Sequence, residues 1–263
     1  MENQVPQKTW LQKYHVKGIF WTVILLVLLE LSSISTGVKW SDFFKNFDQF
    51  LELFHRMAHP DCSYTSIVIQ PIIETIQMAL LGTTLGTIFA VPFAVLAARN
   101  IVKNAFLRGV IRFILNLVRT LPDLLLAALA VAIVGIGATA GVWTLAIFSF
   151  GMISKLFYET IETIESGPLE ALRAAGANNI QVIVFAVIPQ VLNGFISYFL
   201  YTFEINVRAS TVLGYLGAGG IGVFLQRSLS SFRYDQTAVI ILAILVVVVV
   251  IDAVSNTLRE KLQ

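Results

Sequence analysis

The stretch EALRAAGANNIQVIVFAVIP, residues 170–189, decides how the chain is organised, because it is a polar and small-residue interruption between strongly apolar flanks. Its first half is rich in strong helix formers, and Gly176 allows a helix to end with positive φ. Asn178 or Asn179 can cap a following helix, in whose early turns Pro189 falls. We therefore expect a short helix held outside the bilayer between spanning helices, where a soluble partner could contact it.

The composition indicates a polytopic membrane protein. Of 263 residues, 57% are hydrophobic and 13% are charged, and the apolar residues form runs longer than a soluble core needs. The single cysteine, Cys62, excludes an intrachain disulfide and a cysteine-based metal cluster. The first apolar run is too long for a signal peptide, so we interpret it as a retained helix. We expect this chain to bind no metal and no nucleic acid.

Hydropathy predicts an all-helical membrane fold with about six transmembrane helices. The predicted spans are residues 18–34, 72–97, 113–134, 142–157, 182–201 and 237–254. The third is interrupted by Arg119, Pro122 and Asp123. Residues 36–66 carry phenylalanines at helical spacing, typical of an amphipathic helix on the membrane surface or packed on the chain itself. Residues 203–233 are expected to form either a re-entrant element or a helix and a loop.

The distribution of cations predicts the orientation, because cytoplasmic loops are enriched in lysine and arginine. Six spans place both termini on one side of the membrane. The cations that fall on that side in this arrangement are Lys8, Lys13, Lys17, Arg99, Lys103, Arg108, Arg112, Lys155, Arg173, Arg259 and Lys261. Both termini and the beginning of residues 170–189 are therefore predicted to be cytoplasmic.

Two pairs of opposite charges occur at i,i+4 spacing. Arg119 and Asp123 lie inside the third predicted span, and Glu204 and Arg208 follow the fifth. Charges in or near a bilayer are costly, which indicates either mutual neutralisation on a helix face or contact with a polar substrate. Both interpretations stay open for each pair.

Glycines are concentrated in two places. Gly82 and Gly86 have GxxxG spacing, which predicts close helix packing. The run GYLGAGGIG formally contains G-x-G-x-x-G, but a dinucleotide site needs a preceding strand, whereas the neighbours here are membrane helices. No P-loop motif is present. We expect tight packing or a gate-like turn from the glycines of this run, Gly214, Gly217, Gly219, Gly220 and Gly222.

The spacing of Glu170, Gly176 and Pro189 resembles the cytoplasmic EAA loop of binding-protein-dependent ABC importer permeases. The second alanine and the leucine of that pattern are replaced by Leu172 and Ile188. Within the superfamily, the stretches FEINVRASTVLGYLGAGGIG and LVRTLPDLLLA are similar to the phosphonate permease branch, which includes phosphite-type systems. Methionine permeases share the glycine-rich ending but lack the additional N-terminal span.

The resemblance implies a type I importer permease fold, similar to methionine permeases, over residues 72–254. Residues 1–71 would add an N-terminal span and an extracytoplasmic amphipathic segment, and residues 255–263 a short cytoplasmic tail. It further implies a homodimer, two cytoplasmic ATPase subunits that bind ATP and Mg, and an extracytoplasmic phosphonate-binding protein at the bacterial cytoplasmic membrane. The residues that would couple to the ATPase are Glu170, Ala171, Arg173 and Gly176.

Under this interpretation the chain is a transport subunit and not an enzyme. Substrate would pass along the dimer interface, with candidate pathway residues Arg119, Asp123, Glu204 and Arg208. The alternatives are a permease for methionine or another small solute, and an ion-driven secondary transporter. The latter favours inverted repeats, which are not evident between the two halves. A membrane-embedded enzyme would need a cluster of His, Asp or Ser on facing helices, which the sequence does not offer.

Overall fold

The computed structural model describes residues 16–261, in which every regular element is helical, confirming the predicted all-α fold. Lys8, Lys13 and the last two residues of the predicted tail lie outside the described residues. The helices are α1 Val16–Thr36, α2 Trp40–Lys45, α3 Phe47–Met57, α4 Thr65–Ala97, α5 Ala105–Thr120, α6 Asp123–Val134, α7 Ala138–Thr163, α8 Ser166–Ala174, α9 Asn179–Val182, α10 Ile188–Leu213, α11 Ile221–Ser230 and α12 Tyr234–Glu260.

The chain divides into two compact units after His55. The first contains the apolar helix α1, the short α2 and most of α3. On α3, the ring of Phe50 lies 5.8 Å from that of Phe47 and 4.7 Å from that of Phe54. The aromatic side chains therefore share one face, and the predicted amphipathic helix within residues 36–66 is confirmed.

Five helical stretches of the described chain are long and apolar enough to cross a membrane. These are Lys17–Thr36, Cys62–Ala97, Ala138–Thr163, Asn179–Leu216 and Tyr234–Glu260, and a bent pair formed by α5 and α6 would make six. The predicted number of spans is therefore confirmed when that pair counts as one. The last helix continues six residues beyond the predicted end of the sixth span at residue 254.

The third predicted span, residues 113–134, is interrupted at Pro122, as the sequence predicts. It is divided between α5 and α6, which meet at an angle of 90°. The break falls at Leu121, whose φ of −76° and ψ of 125° are extended. The cause is Pro122, because a proline disfavours helical geometry in the residue before it.

The fifth predicted span is too short at its C-terminal end. Helix α10 continues from residue 201 to Leu213, so Glu204 and Arg208 are part of the helix and do not follow it. At its N-terminal end a π-helical turn, Ile183–Val187, joins α9 to α10. Pro189 lies just beyond, and the wider turn accommodates its missing N–H and its ring.

Small residues bring α4 and α7 into close contact. A methyl group on Gly86 would lie 2.6 Å from Cβ of Ser149 and 2.8 Å from the backbone nitrogen of Phe150. A methyl group on Gly82 would lie 2.6 Å from Cβ of Leu145. These separations are shorter than any side chain tolerates, which confirms the predicted packing role of the GxxxG pair.

A buried polar contact joins three of the long helices. The side-chain amide of Asn206 on α10 donates hydrogen bonds to Oγ1 of Thr83 on α4 and to Oγ of Ser149 on α7, both at 2.7 Å. All three side chains are fully buried. Hydrogen bonds between buried side chains satisfy groups that lipid cannot, so this contact specifies how α4, α7 and α10 pack together.

Candidate functional site

Helix α8 has one face packed on the protein and one face open. Leu169 is buried in a small cluster with Val182 and Ala186, which anchors α8 to the helix that follows it. Glu170 and Ala171 are exposed on the opposite side. The open face combines a carboxylate with small side chains. Because these side chains have little bulk, the helix can fit into a groove of another protein.

The end of α8 is defined by a glycine turn. Gly176 has φ of +86°. Its N–H donates to the carbonyl of Arg173, and the N–H of Ala177 donates to that of Leu172, both at 3.0 Å. This pair of bonds is a Schellman motif, so the predicted positive-φ helix end is confirmed. Of the two asparagines predicted as caps, Asn178 caps the next helix, in a reciprocal capping box with Gln181.

Arg173 connects α8 to the loop between α4 and α5. Its guanidinium donates to the backbone carbonyl of Asn100 at 2.9 Å. The side-chain amide of Asn100 in turn donates to the carbonyl of Ile161 near the end of α7. The short helix is therefore tied through one side chain to the ends of two spanning helices.

Glu162 forms a second connection at the same end of the bundle. Its carboxylate pairs with the guanidinium of Arg112 on α5 and accepts the backbone N–H of Arg99 at 2.6 Å. Arg112 also donates to the carbonyl of Ala97 at 2.8 Å and lies 4.7 Å from the ring centroid of Tyr158. Sequence reasoning used these arginines only to orient the chain, because their acidic partner is 50 or more residues away.

Replacing Glu162 with glutamine is expected to lower the free energy of unfolding by about 3 kcal/mol, because the partly buried Arg112 loses its counter-charge. The measurement is thermal unfolding of the purified protein in detergent. Glu159→Gln is the matched control: Glu159 is exposed whereas Glu162 is largely buried, so the loss of its ion pair with Lys155 should cost less than about 0.5 kcal/mol. Equal losses in the two variants would contradict this role of Glu162.

Arg119 and Asp123 do not neutralise each other. No ion pair between them occurs among the described residues, because the break at Leu121 and Pro122 puts them on different helices. The stem of Arg119 packs instead against α7, where a methyl group on Gly151 would lie 2.9 Å from its Cγ. Mutual pairing along one helix face is therefore wrong for this couple.

Glu204 and Arg208 do pair, as predicted, and a third residue joins them. The Glu204 carboxylate binds Nη2 of Arg208 through Oε1 and Nη2 of Arg259 through Oε2, the latter at 3.1 Å. The Glu204 side chain is only 7% exposed. Sequence reasoning missed Arg259, because it placed that residue in a tail and no local spacing relates it to Glu204.

The glycine run, residues 214–222, contacts the loop between α6 and α7. The N–H of Gly137, between α6 and α7, donates to the carbonyl of Gly217 at 2.8 Å. A methyl group on Gly219 would lie 2.6 Å from the backbone nitrogen of Ala138. Backbone φ is +79°, +82° and +69° at Gly217, Gly219 and Gly220, a region that favours glycine. Tight packing is thus confirmed here, and a gate-like movement stays a prediction.

The same run is held to α4 by two side chains. The N–H of Ile221 donates to Oγ1 of Thr75 at 2.8 Å, and that of Gly220 to the carboxylate of Glu74 at 3.4 Å. Residues 203–233 therefore form the end of α10, a turn that is hydrogen-bonded to α4, and the short helix α11. A further turn follows at Phe232, with φ of 56°. The glycine run is irregular backbone buried in protein, as a break within a membrane requires.

Comparisons with known proteins converge on one family. Residues 90–263 match the family described as binding-protein-dependent transport system inner membrane component. The chain is 43% identical over 95% of its length to the phosphite transport system permease protein of Stutzerimonas stutzeri, of which it covers 90%. It is 47% identical over 43% of its length to a permease protein named for a cryptic phosphonate transport system in Escherichia coli strain K12, covering 93% of that protein.

Solved structures show the same fold. The methionine ABC transporter MetNI in an inward-facing conformation matches with a TM-score of 0.68 at 23% identity, over 77% of this chain and 99% of the matched chain. At that identity the likeness concerns the fold alone, and it confirms the predicted similarity to methionine permeases.

Proposed function

The chain belongs to the family of binding-protein-dependent transport system inner membrane components, and from this membership we propose that it is the permease subunit of an ABC importer. The observation that carries the proposal is the exposed face of α8, held outside the bundle between a buried leucine and a glycine turn. The cargo is a small phosphorus oxyanion, a phosphite or a phosphonate. Relatives named for such systems support this cargo.

The importer consists of two copies of this chain, two cytoplasmic ATP-binding subunits and an extracytoplasmic binding protein. ATP and Mg are bound by the ATP-binding subunits. The chain is a multi-pass protein of the bacterial cytoplasmic membrane, and both of its termini face the cytoplasm. With α8 on the cytoplasmic side, Glu170, Ala171 and Gly176 are available to the ATP-binding subunits.

Movement of the ATP-binding subunits reaches the spanning helices through two connections. Arg173 joins α8 to the α4–α5 loop, and Glu162 joins the end of α7 to α5. When the ATP-binding subunits close on ATP, α8 moves with them as a rigid unit and the paired permeases change from inward-facing to outward-facing. The substrate then crosses along the interface between the two permeases, near Arg119, Asp123 and the Glu204–Arg208 pair.

Reconstitution tests the proposal. The chain is co-expressed with an ATP-binding subunit and a binding protein, reconstituted in proteoliposomes, and assayed for uptake of phosphite, methylphosphonate, phosphate and methionine. We expect stoichiometric co-purification of the ATP-binding subunit and ATP-dependent uptake of phosphite or methylphosphonate. Uptake that follows an ion gradient without ATP would overturn the importer assignment, and uptake of methionine alone would overturn the cargo.

Replacing Arg119 or Arg208 with alanine is expected to lower the initial rate of uptake about tenfold, because a guanidinium binds an oxyanion through charge-assisted hydrogen bonds. Lysine variants keep the charge and should retain more uptake than alanine variants. Arg227→Ala on α11 is the control, since that guanidinium lies 5.9 Å from the Phe224 ring and has no ion pair among the described residues. Wild-type uptake by both alanine variants would exclude both arginines from the pathway.

A further inference from the structure

We propose that Arg259 is a positioning residue: it neutralises Glu204 and thereby leaves Arg208 free to bind the transported oxyanion. The inference rests on the proposed function and assigns a role to a residue near the end of the last helix. The first observation is that the carboxylate of Glu204 is divided between two guanidinium groups. Oε1 is bound by Arg208 and Oε2 by Arg259 at 3.1 Å.

The charges in this group do not balance. Two arginines face one carboxylate, which leaves one net positive charge within this group of three side chains. Such a charge is costly in lipid, so it is expected to face water, protein or an anionic ligand. A group that served only to neutralise Glu204 would need one arginine, and the i,i+4 pair with Arg208 already supplies it.

The two arginines differ in how many of their donors remain available. Arg259 is 24% exposed and uses Nη2 on Glu204 and Nε on the carbonyl of Ser255 at 3.4 Å. Arg208 is 51% exposed and donates from Nη2 alone to Glu204. Arg259 is thus directed into the protein, whereas Arg208 offers the remaining edge of its guanidinium. That edge fits two oxygens of a tetrahedral oxyanion.

The group lies near the middle of the spanning region, because Asn206, between Glu204 and Arg208, bonds to Thr83 and Ser149 midway along α4 and α7. Glu204 contacts Arg259 near the end of α12, whereas Val207 and Thr211 line one cavity with Ile244 and Val248, so α10 and α12 run antiparallel. Glu204 lies one turn closer than Arg208 to the N-terminal end of α10, which follows α8 in the chain. An anion that moved along α10 would therefore meet this positive group near the middle of its route.

A charge-rescue experiment tests the inference in the assembled importer in proteoliposomes. Arg259→Gln makes the group neutral, because Arg208 is then the one remaining cationic partner of Glu204. The charge of Arg208 is then fully balanced by Glu204, and the initial rate of phosphite or methylphosphonate uptake should fall about tenfold. The double variant Glu204→Gln with Arg259→Gln restores one net positive charge on Arg208. It should recover uptake to within about threefold of wild type. Lys261→Gln is the control, since it removes a charge from the same helix end without touching Glu204.

Two outcomes overturn the inference: wild-type uptake by Arg259→Gln, or a double variant that assembles but transports no better than Arg259→Gln. The double variant still decides the question if the single variant does not assemble, since it leaves no unpaired carboxylate. Absence of uptake by the wild-type importer would instead contradict the proposed function. The two failures are therefore distinguishable.

Discussion

Gly176→Val abolishes substrate-stimulated ATP hydrolysis in the reconstituted importer, and the chain still inserts into the membrane: this is the result we expect. Gly176 has φ of +86°, which a β-branched residue adopts only with strain. Valine therefore disrupts the Schellman turn, and α8 no longer presents its open face in the same direction. We expect at least a tenfold loss of stimulation, measured as phosphate release with and without binding protein and substrate.

Gly167→Ala is the matched control for this variant. Gly167 lies in the first turn of α8, and a methyl group there has no neighbour within 4 Å. It should leave the stimulation unchanged. Glu170→Lys tests the same docking surface without backbone strain, because Glu170 is exposed and its charge is reversed. Normal stimulation in both Gly176→Val and Glu170→Lys would exclude α8 as the coupling helix.

The second large effect concerns stability. Gly86→Leu is expected to prevent folding, with a loss of about 4 kcal/mol or more, because the side chain must displace the backbone of α7. The measurement is the amount of monodisperse protein recovered in detergent and its unfolding temperature. Gly109→Leu introduces the same side chain on α5, where no atom lies within 4 Å, and should be recovered like wild type.

If Gly86→Leu and Gly109→Leu were recovered equally, close packing of α4 on α7 would not stabilise the bundle. A smaller substitution, Gly86→Ala, provides a graded test. It should be recovered in a smaller amount than the wild type and unfold at a lower temperature, but still fold.

Most of the fold follows from local patterns. Long apolar runs predict the spans, because a helix must satisfy its backbone within the bilayer. The end of α8 also follows from neighbouring residues, since a glycine at positive φ and an asparagine cap act over a few positions. These features depend on physics that operates within one or two helical turns.

The features that sequence reasoning missed depend on distant residues. Nothing near Arg259 in the sequence indicates that its guanidinium reaches Glu204, 55 positions earlier. The partners of Glu162 are equally remote. The interruption between α5 and α6 had a local signal in Pro122, but no local pattern predicts its angle of 90°. The partners of these charged residues are therefore determined by the packing of distant helices and not by the local sequence.

The buried amide of Asn206 has a mechanical consequence. Its two bonds cross to two different helices, so a slide of any one helix by a single residue would break at least one of them in a place that water and lipid do not reach. The amide therefore holds α4, α7 and α10 in one register. We therefore expect α4, α7 and α10 to move together as one unit when the protein changes conformation.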